Sequence, residues 1–153
     1  MNPEQLQRQH LQALAAADLE RAARLRLALG VQGRSIALDY LRAAVAVCLE
    51  YRFGPGAGIG AGPVDYDDLR AFMTELREAN HGIEPPPDYL GVEAVIRSLY
   101  GEPHLLEPLA DRQRSQTLHL LLQHQIRRHP WLGINSDAVI ERAKQVMTTW
   151  ILG

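Results

Sequence analysis

An all-α fold is the reading this sequence supports: a single-domain bundle of six to seven helices spanning residues 1–153. Three observations carry it. Apolar residues recur at three- and four-residue steps, as in Leu38, Leu41, Val45 and Leu49, which makes one stripe of an amphipathic helix. No segment alternates apolar and polar residues with period two. Val45–Leu49 is the one strand candidate, and its flanks are helical. Glycine and proline gather in a few clusters that cut the chain into helix-length pieces.

The elements follow in order. Pro3 and Glu4 open a helical pattern that continues through Leu6, Leu11 and Leu14. Ala13 to Leu29 is rich in Ala, Leu and Arg, all strong helix formers. Asp18 breaks or caps this stretch, giving one long helix or two short ones. Gly30 and Gly33 are placed to end it. Ser35 is placed to cap the next helix, Ile36 to about Phe53. A Gly-rich connector at 54–63 then follows the second or third helix. Asp65 and Asp68 resemble a capping arrangement for a helix through Leu69, Phe72, Met73 and Leu76. Pro85, Pro86 and Pro87 force an extended connector at 84–87. Asp88 caps a short helix from Tyr89 to Tyr100, and a stronger helix runs from about Leu109 to Arg128. His129 to Gly133 turns the chain, and Ser136 caps a last helix from Asp137 to Leu152.

The totals narrow the function classes. The 153 residues are 46% hydrophobic and 22% charged, with a net charge of -2, enough apolar material for one core. Cys48 is the only cysteine, which rules out an internal disulfide framework and a cysteine-rich zinc site. It sits in an apolar helical run and reads as a small buried hydrophobe. The N-terminal residues carry no apolar signal segment, and no run is long enough to span a membrane. The expected location is cytoplasmic, with no membrane partner. Fifteen of the sixteen basic residues are Arg, which points to a high-GC bacterial genome. Charge is unevenly spread: residues 1–34 net +2, 35–111 net -8 and 112–153 net +4. An acidic middle and a basic end are placed to pair, within one chain or between two copies.

Gly56, Gly58 and Ala61 formally match the dinucleotide fingerprint G-x-G-x-x-[GA]. That mechanism needs a strand before the turn and a helix starting within it, so that free N–H groups face the pyrophosphate. No such strand precedes Gly54, and Asp65 puts negative charge where the phosphate turn would lie. No Gly-Lys-Ser or Gly-Lys-Thr exists for a P-loop. The stretch reads as a mobile connector between helices. No cofactor and no small-molecule ligand follow from it.

The most informative element is Asp111 to His129, which contains no acid after Asp111. On a helical wheel Leu118, Leu121, Leu122 and Ile126 form an apolar arc. Arg112, Gln116, Gln123, His124, Arg127 and Arg128 fall on the other side. The reading is one core face and one basic, amide-rich face. His119, His124 and His129 are five apart, so each is turned by about 140° from the last. A two-histidine helical metal site wants a spacing of three or four, and no metal is expected.

Arg112 and His119 are seven apart, and Arg114 and His119 are five apart. Both pairs fit R-x(4–6)-H. This resembles the motif of the HEPN family of small helical, usually dimeric proteins, many of them metal-independent ribonucleases. The resemblance covers about eight residues. Gln113 or Ser115 stands where the family commonly has Asn, Asp or His. It implies Arg112 or Arg114 with His119 as a catalytic pair, the His moving a proton and the Arg holding a phosphate.

The leading expectation is a protein–protein interaction or adaptor module, homodimeric or part of a larger assembly. Its surface would comprise Arg112, His124, Arg127, Arg128 and Trp131. The alternatives are an HEPN-like ribonuclease and a non-catalytic nucleic-acid-binding subunit. The last requires a continuous basic face joining Arg21, Arg24 and Arg26 to Arg127 and Arg128.

Overall fold

The computed structural model describes residues 2–152 and, among them, seven α-helices and no strand. They are α1 (Pro3–Ala15), α2 (Leu19–Phe53), α3 (Tyr66–Ala79), α4 (Tyr89–Leu99), α5 (Asp111–Arg128), α6 (Trp131–Ile134) and α7 (Ser136–Leu152), with a 3₁₀ turn at Pro103–Leu106. The all-α bundle read from the sequence is the observed architecture.

Local chemistry explains most boundaries. Asn2 caps α1 in a reciprocal box with Gln5, and Pro3 takes the first turn, where an N–H is not needed. Asp18, Asp65 and Asp88 cap α2, α3 and α4 by accepting from the N–H groups of Arg21, Asp68 and Gly91. Between α1 and α2, Ala17 adopts φ 57°. The N–H groups of Ala17 and Asp18 donate to Leu14 and Ala13 at 3.1 and 2.9 Å, the paired bonds of a Schellman turn. Asp18 therefore separates two helices.

Of the two glycines, Gly30 ends a helical segment as expected, whereas Gly33 lies inside the next one. Gly30 takes a non-helical φ 73°, ψ -178° and kinks α2, and a second helical segment runs on from it to Phe53. Glycine tolerates that conformation, so two helical segments abut without a loop. Ser35 lies inside α2 rather than at a cap.

The second half of α2 is the axis of the bundle. Leu41 and every residue from Ala43 to Leu49 are buried, and α1, α5 and α7 all pack against α2. A helix apolar all round belongs in a core. Its alanines at 43, 44 and 46 leave room for close neighbours. Around it lie Leu118, Leu121 and Leu122 of α5, Ile140, Ala143 and Val146 of α7, and Val92, Val95 and Ile96 of α4, in one hydrophobic cluster. α3 adds Phe72, whose ring meets Phe53 edge-on at 5.3 Å.

The glycine connector, read from the sequence as a linker, makes specific hydrogen bonds to its surroundings. Gly58 N–H donates to Leu99 O at 2.7 Å, and its carbonyl accepts from Trp150 Nε1 at 2.6 Å. Gly56 N–H donates to Glu50 Oε2, and Tyr100 O–H to Gly54 O, both at 2.8 Å. Trp150 is thereby a packing residue that ties α7 to this connector, with the Arg42 guanidinium over its ring at 4.3 Å.

The expected pairing of acidic middle with basic end is largely absent among the described residues. Arg8 pairs with Asp137 and Glu141, and Lys144 with Glu4 and Glu141. The two terminal helices thus pair with each other. The acidic middle pairs within itself: Glu75 with Arg52 at 3.4 Å, Asp67 with Arg70 and Glu102 with Arg97.

Candidate functional site: an arginine-rimmed groove

α1, α2 and α5 enclose a groove of about 700 Å³. Its position follows from the sequence of α2. Before the Gly30 kink, Ala22 is the only buried residue of the helix, so this arm stands away from the core. The arm runs beside α1, held by Arg21 to Gln9 at 3.4 Å, while past the kink Gln7 reaches Gly33 O at 2.7 Å. The N-terminal half of α5 forms the opposite wall.

The groove has an aliphatic floor and a basic rim. Leu14, Leu19, Val31, Leu38 and Leu41 supply the apolar lining. Arg26 and Arg34 come from α2, Arg112 from α5, and Asp111 is the one acid lining it. None of these three arginines is in an ion pair among the described residues. Ser35, Ser115 and Gln116 add neutral hydrogen-bonding groups, and His10 and His119 complete the lining.

Burial pushes both histidines below the ordinary imidazole pKa, with smaller contributions from Arg26 at His10 and Arg127 at His119. Burial disfavours the charged ring, and a nearby guanidinium does so further. Both rings are therefore neutral at pH 7. His119 Nε2 is buried without a hydrogen-bond partner, so no carboxylate or carbonyl orients that ring nitrogen.

The remaining residues singled out from the sequence are scattered. Arg112 and His119 share the groove. Arg114 does not: its guanidinium donates to Leu109 O and Leu106 O, both at 2.8 Å, tying down the turn before α5. Gln113 donates to the Asp88 carboxylate at 2.8 Å and so supports the cap of α4.

His124, expected on an outer interaction face, is 4% exposed. α3 covers that side of α5, and the Phe72 ring meets the imidazole edge-on at 5.2 Å. Gln123 and Gln125 are buried too, donating to the carbonyls of Leu14 and Cys48. A buried amide is tolerated where it finds such a partner, so the face is inner at Gln123 and His124, while Arg112 and Gln116 stay exposed. Arg127 and Arg128 remain exposed at the far end of α5. Trp131 is 41% exposed there and packs edge-on against Tyr51 at 4.7 Å.

Sequence reasoning did not single out His10 or Arg34. The available signal was the cluster of arginines in residues 1–34 beside leucines that no repeat or cap accounts for. Among the described residues, no group of three or more His, Cys, Asp or Glu side chains is placed to hold a metal ion. Among the described residues, no helix is long and apolar enough to cross a membrane. Burial pushes the Cys48 thiol up to about 12, so it is an inert core group. No family model, curated protein or solved structure matches the chain.

Proposed function

We propose that the chain is a protein–protein interaction module that docks its partner in the groove between the α2 arm and α5. One observation carries the reading: a groove of about 700 Å³ joins an aliphatic floor to Arg26, Arg34 and Arg112, which have no acidic ion-pair partner among the described residues. Apolar surface provides the driving force of association, and unpaired charge provides orientation and encounter rate. The docking surface thus keeps Arg112 from the sequence reading and moves the rest to α1 and α2.

The experiment is a pulldown from lysate, with and without nuclease, using wild type and the double variant Arg34→Glu/Arg112→Glu. The expected result is a protein partner that survives nuclease and is lost with the double variant. A bait that retains RNA alone would overturn the reading. So would a partner held equally well by both baits.

A second reading is favoured by a separate observation, the placement of Arg112 and His119 in one groove. It is HEPN-like, metal-independent RNA cleavage, with His119 moving the proton and Arg112 holding the phosphate. The unpartnered Nε2 weighs against it, because a working base is normally held by a third group. It predicts that purified protein cuts RNA in the presence of chelator, and that His119→Ala abolishes the cut without loss of folding.

A further inference from the structure

We infer that the occupant of the groove is an acidic amphipathic α-helix of a partner protein, with its apolar stripe on the leucine floor and carboxylates on both flanks. This inference rests on the interaction-module reading and sharpens it.

The lining selects the chemistry. The floor is aliphatic, and its only rings are the imidazoles of His10 and His119. Single-stranded nucleic acid gains affinity by stacking bases on aromatic faces, and this floor has no Phe, Tyr or Trp. Leucine-lined grooves instead suit the i, i+3, i+4, i+7 face of a helix.

The rim selects the charge. Arg26 and Arg34 stand on the α2 wall and Arg112 on the α5 wall. A guanidinium accepts a carboxylate through two parallel hydrogen bonds. Arginine on both walls requires acids on both sides of the partner's apolar stripe, a stricter demand than net negative charge.

The surroundings select an extended partner over a small enclosed one. Exposed aliphatic side chains run along the arm to just past its kink: Leu19 is 56% and Leu27 76% exposed on the arm, and Val31 beyond Gly30 is 79% exposed. Exposed aliphatic side chains concentrated along one segment mark a contact surface. A small molecule inside the groove would leave Leu27 in water, whereas a helix lying across the arm covers it.

The test uses fluorescence anisotropy with the full chain and three labelled synthetic peptides of about four helical turns. One carries a leucine stripe flanked on both sides by glutamate. Its twin has lysine for glutamate, and the third is a scramble of the first with no stripe. The expected result is saturable binding of the acidic amphipathic peptide alone, at least tenfold weaker for Arg34→Glu/Arg112→Glu. The control Arg70→Glu/Arg142→Glu, on exposed faces of α3 and α7, should bind as wild type does.

Equal binding of the scramble would overturn the helix and leave only ionic attraction. Equal loss in the control variant would overturn the groove. Saturable binding of labelled single-stranded RNA that the peptide cannot displace would overturn the peptide class. Should the pulldown yield a groove-dependent protein partner while the acidic peptide fails to bind, the module stands and this occupant falls. A pulldown that yields no such partner removes the module itself.

Discussion

The two halves of α2 have the same secondary structure and opposite surroundings. From Leu41 to Leu49 every residue except Arg42 is buried; from Leu19 to Leu29 only Ala22 is. Helix propensity does not explain the difference, since the buried half carries Val45, Val47 and Cys48, weaker helix formers than the Ala, Leu and Arg of the exposed half. The difference is in how the large residues are spent. In the second half they fill contacts with α1, α5 and α7. In the first half Leu19 and Leu27 face outward, and the arginines find few acids. One half holds the molecule together, and the other is free to meet something else. Gly30 allows this, because its φ of 73° lets the helix change direction without a loop.

The largest expected effect tests the structural half. Leu49 is 0% exposed, and Leu49→Ala should lose about 2–5 kcal/mol of unfolding free energy, the cost of a cavity in a packed core. The same truncation at Leu27 should stay within about 0.5 kcal/mol. Urea denaturation monitored by helical circular dichroism measures both. Similar losses at the two positions would break the comparison, since the arm would then be packed like the core.

Next comes the connector that ties α2 to α4 and α7. A Cβ on Gly58 would lie 2.9 Å from Trp150 Cζ2, at a φ of +76°. Both the clash and the left-handed conformation oppose a side chain. Gly58→Ala should therefore cost about 1–3 kcal/mol and blue- or red-shift the Trp150 fluorescence as the ring moves. Gly60→Ala sharpens the point: its Cβ meets nothing within 4 Å, so only the backbone cost remains and the fluorescence should stay put.

These outcomes bear on how much was readable from the residues. The helix boundaries came largely from caps: Asp18, Asp65 and Asp88 act through atoms only one turn away, so their role is local and legible. Gly30 was ambiguous because glycine serves both to end a helix and to kink one, and the choice depends on what the next segment packs against. His124 and Gln123 misled for a related reason. A helical wheel assigns polar residues to solvent, but α3 and the α1 end cover them, and buried polar groups with partners are invisible to periodicity. The groove was legible only in part. Arg112 and His119 stood out on one helix, whereas Arg26, Arg34 and His10 join them only because α1, the α2 arm and α5 converge, a long-range event that no single window contains.

The buried histidines make stability depend on pH. His10, His119 and His124 all have imidazole pKa values lowered by burial. At His124, Arg128, Arg127 and Arg52 push further down while Glu75 opposes them. With folded values below the unfolded one, the unfolded chain binds more protons as pH falls below about 6.5. Stability is thus fully present above that value and is lost as pH drops through it toward the folded pKa values. Denaturation midpoints should fall from pH 7 to pH 5. His124→Leu, a neutral group against Phe72, should flatten the slope.

The smallest effect on stability should carry the largest effect on binding. Val31 follows the Gly30 kink, lines the groove and is 79% exposed. Val31→Gln removes an apolar contact from the docking surface and nothing from the core. Glutamine is the better helix former by a few tenths of a kcal/mol, so the folded state should be unchanged or slightly stabilised, within about 0.5 kcal/mol. Affinity for the acidic amphipathic peptide should nevertheless drop several-fold, because burying a valine side chain is worth about 1.5 kcal/mol or more. A variant as stable as wild type that binds as tightly would place the occupant away from the kink. A variant that loses both would mean that the arm belongs to the core after all.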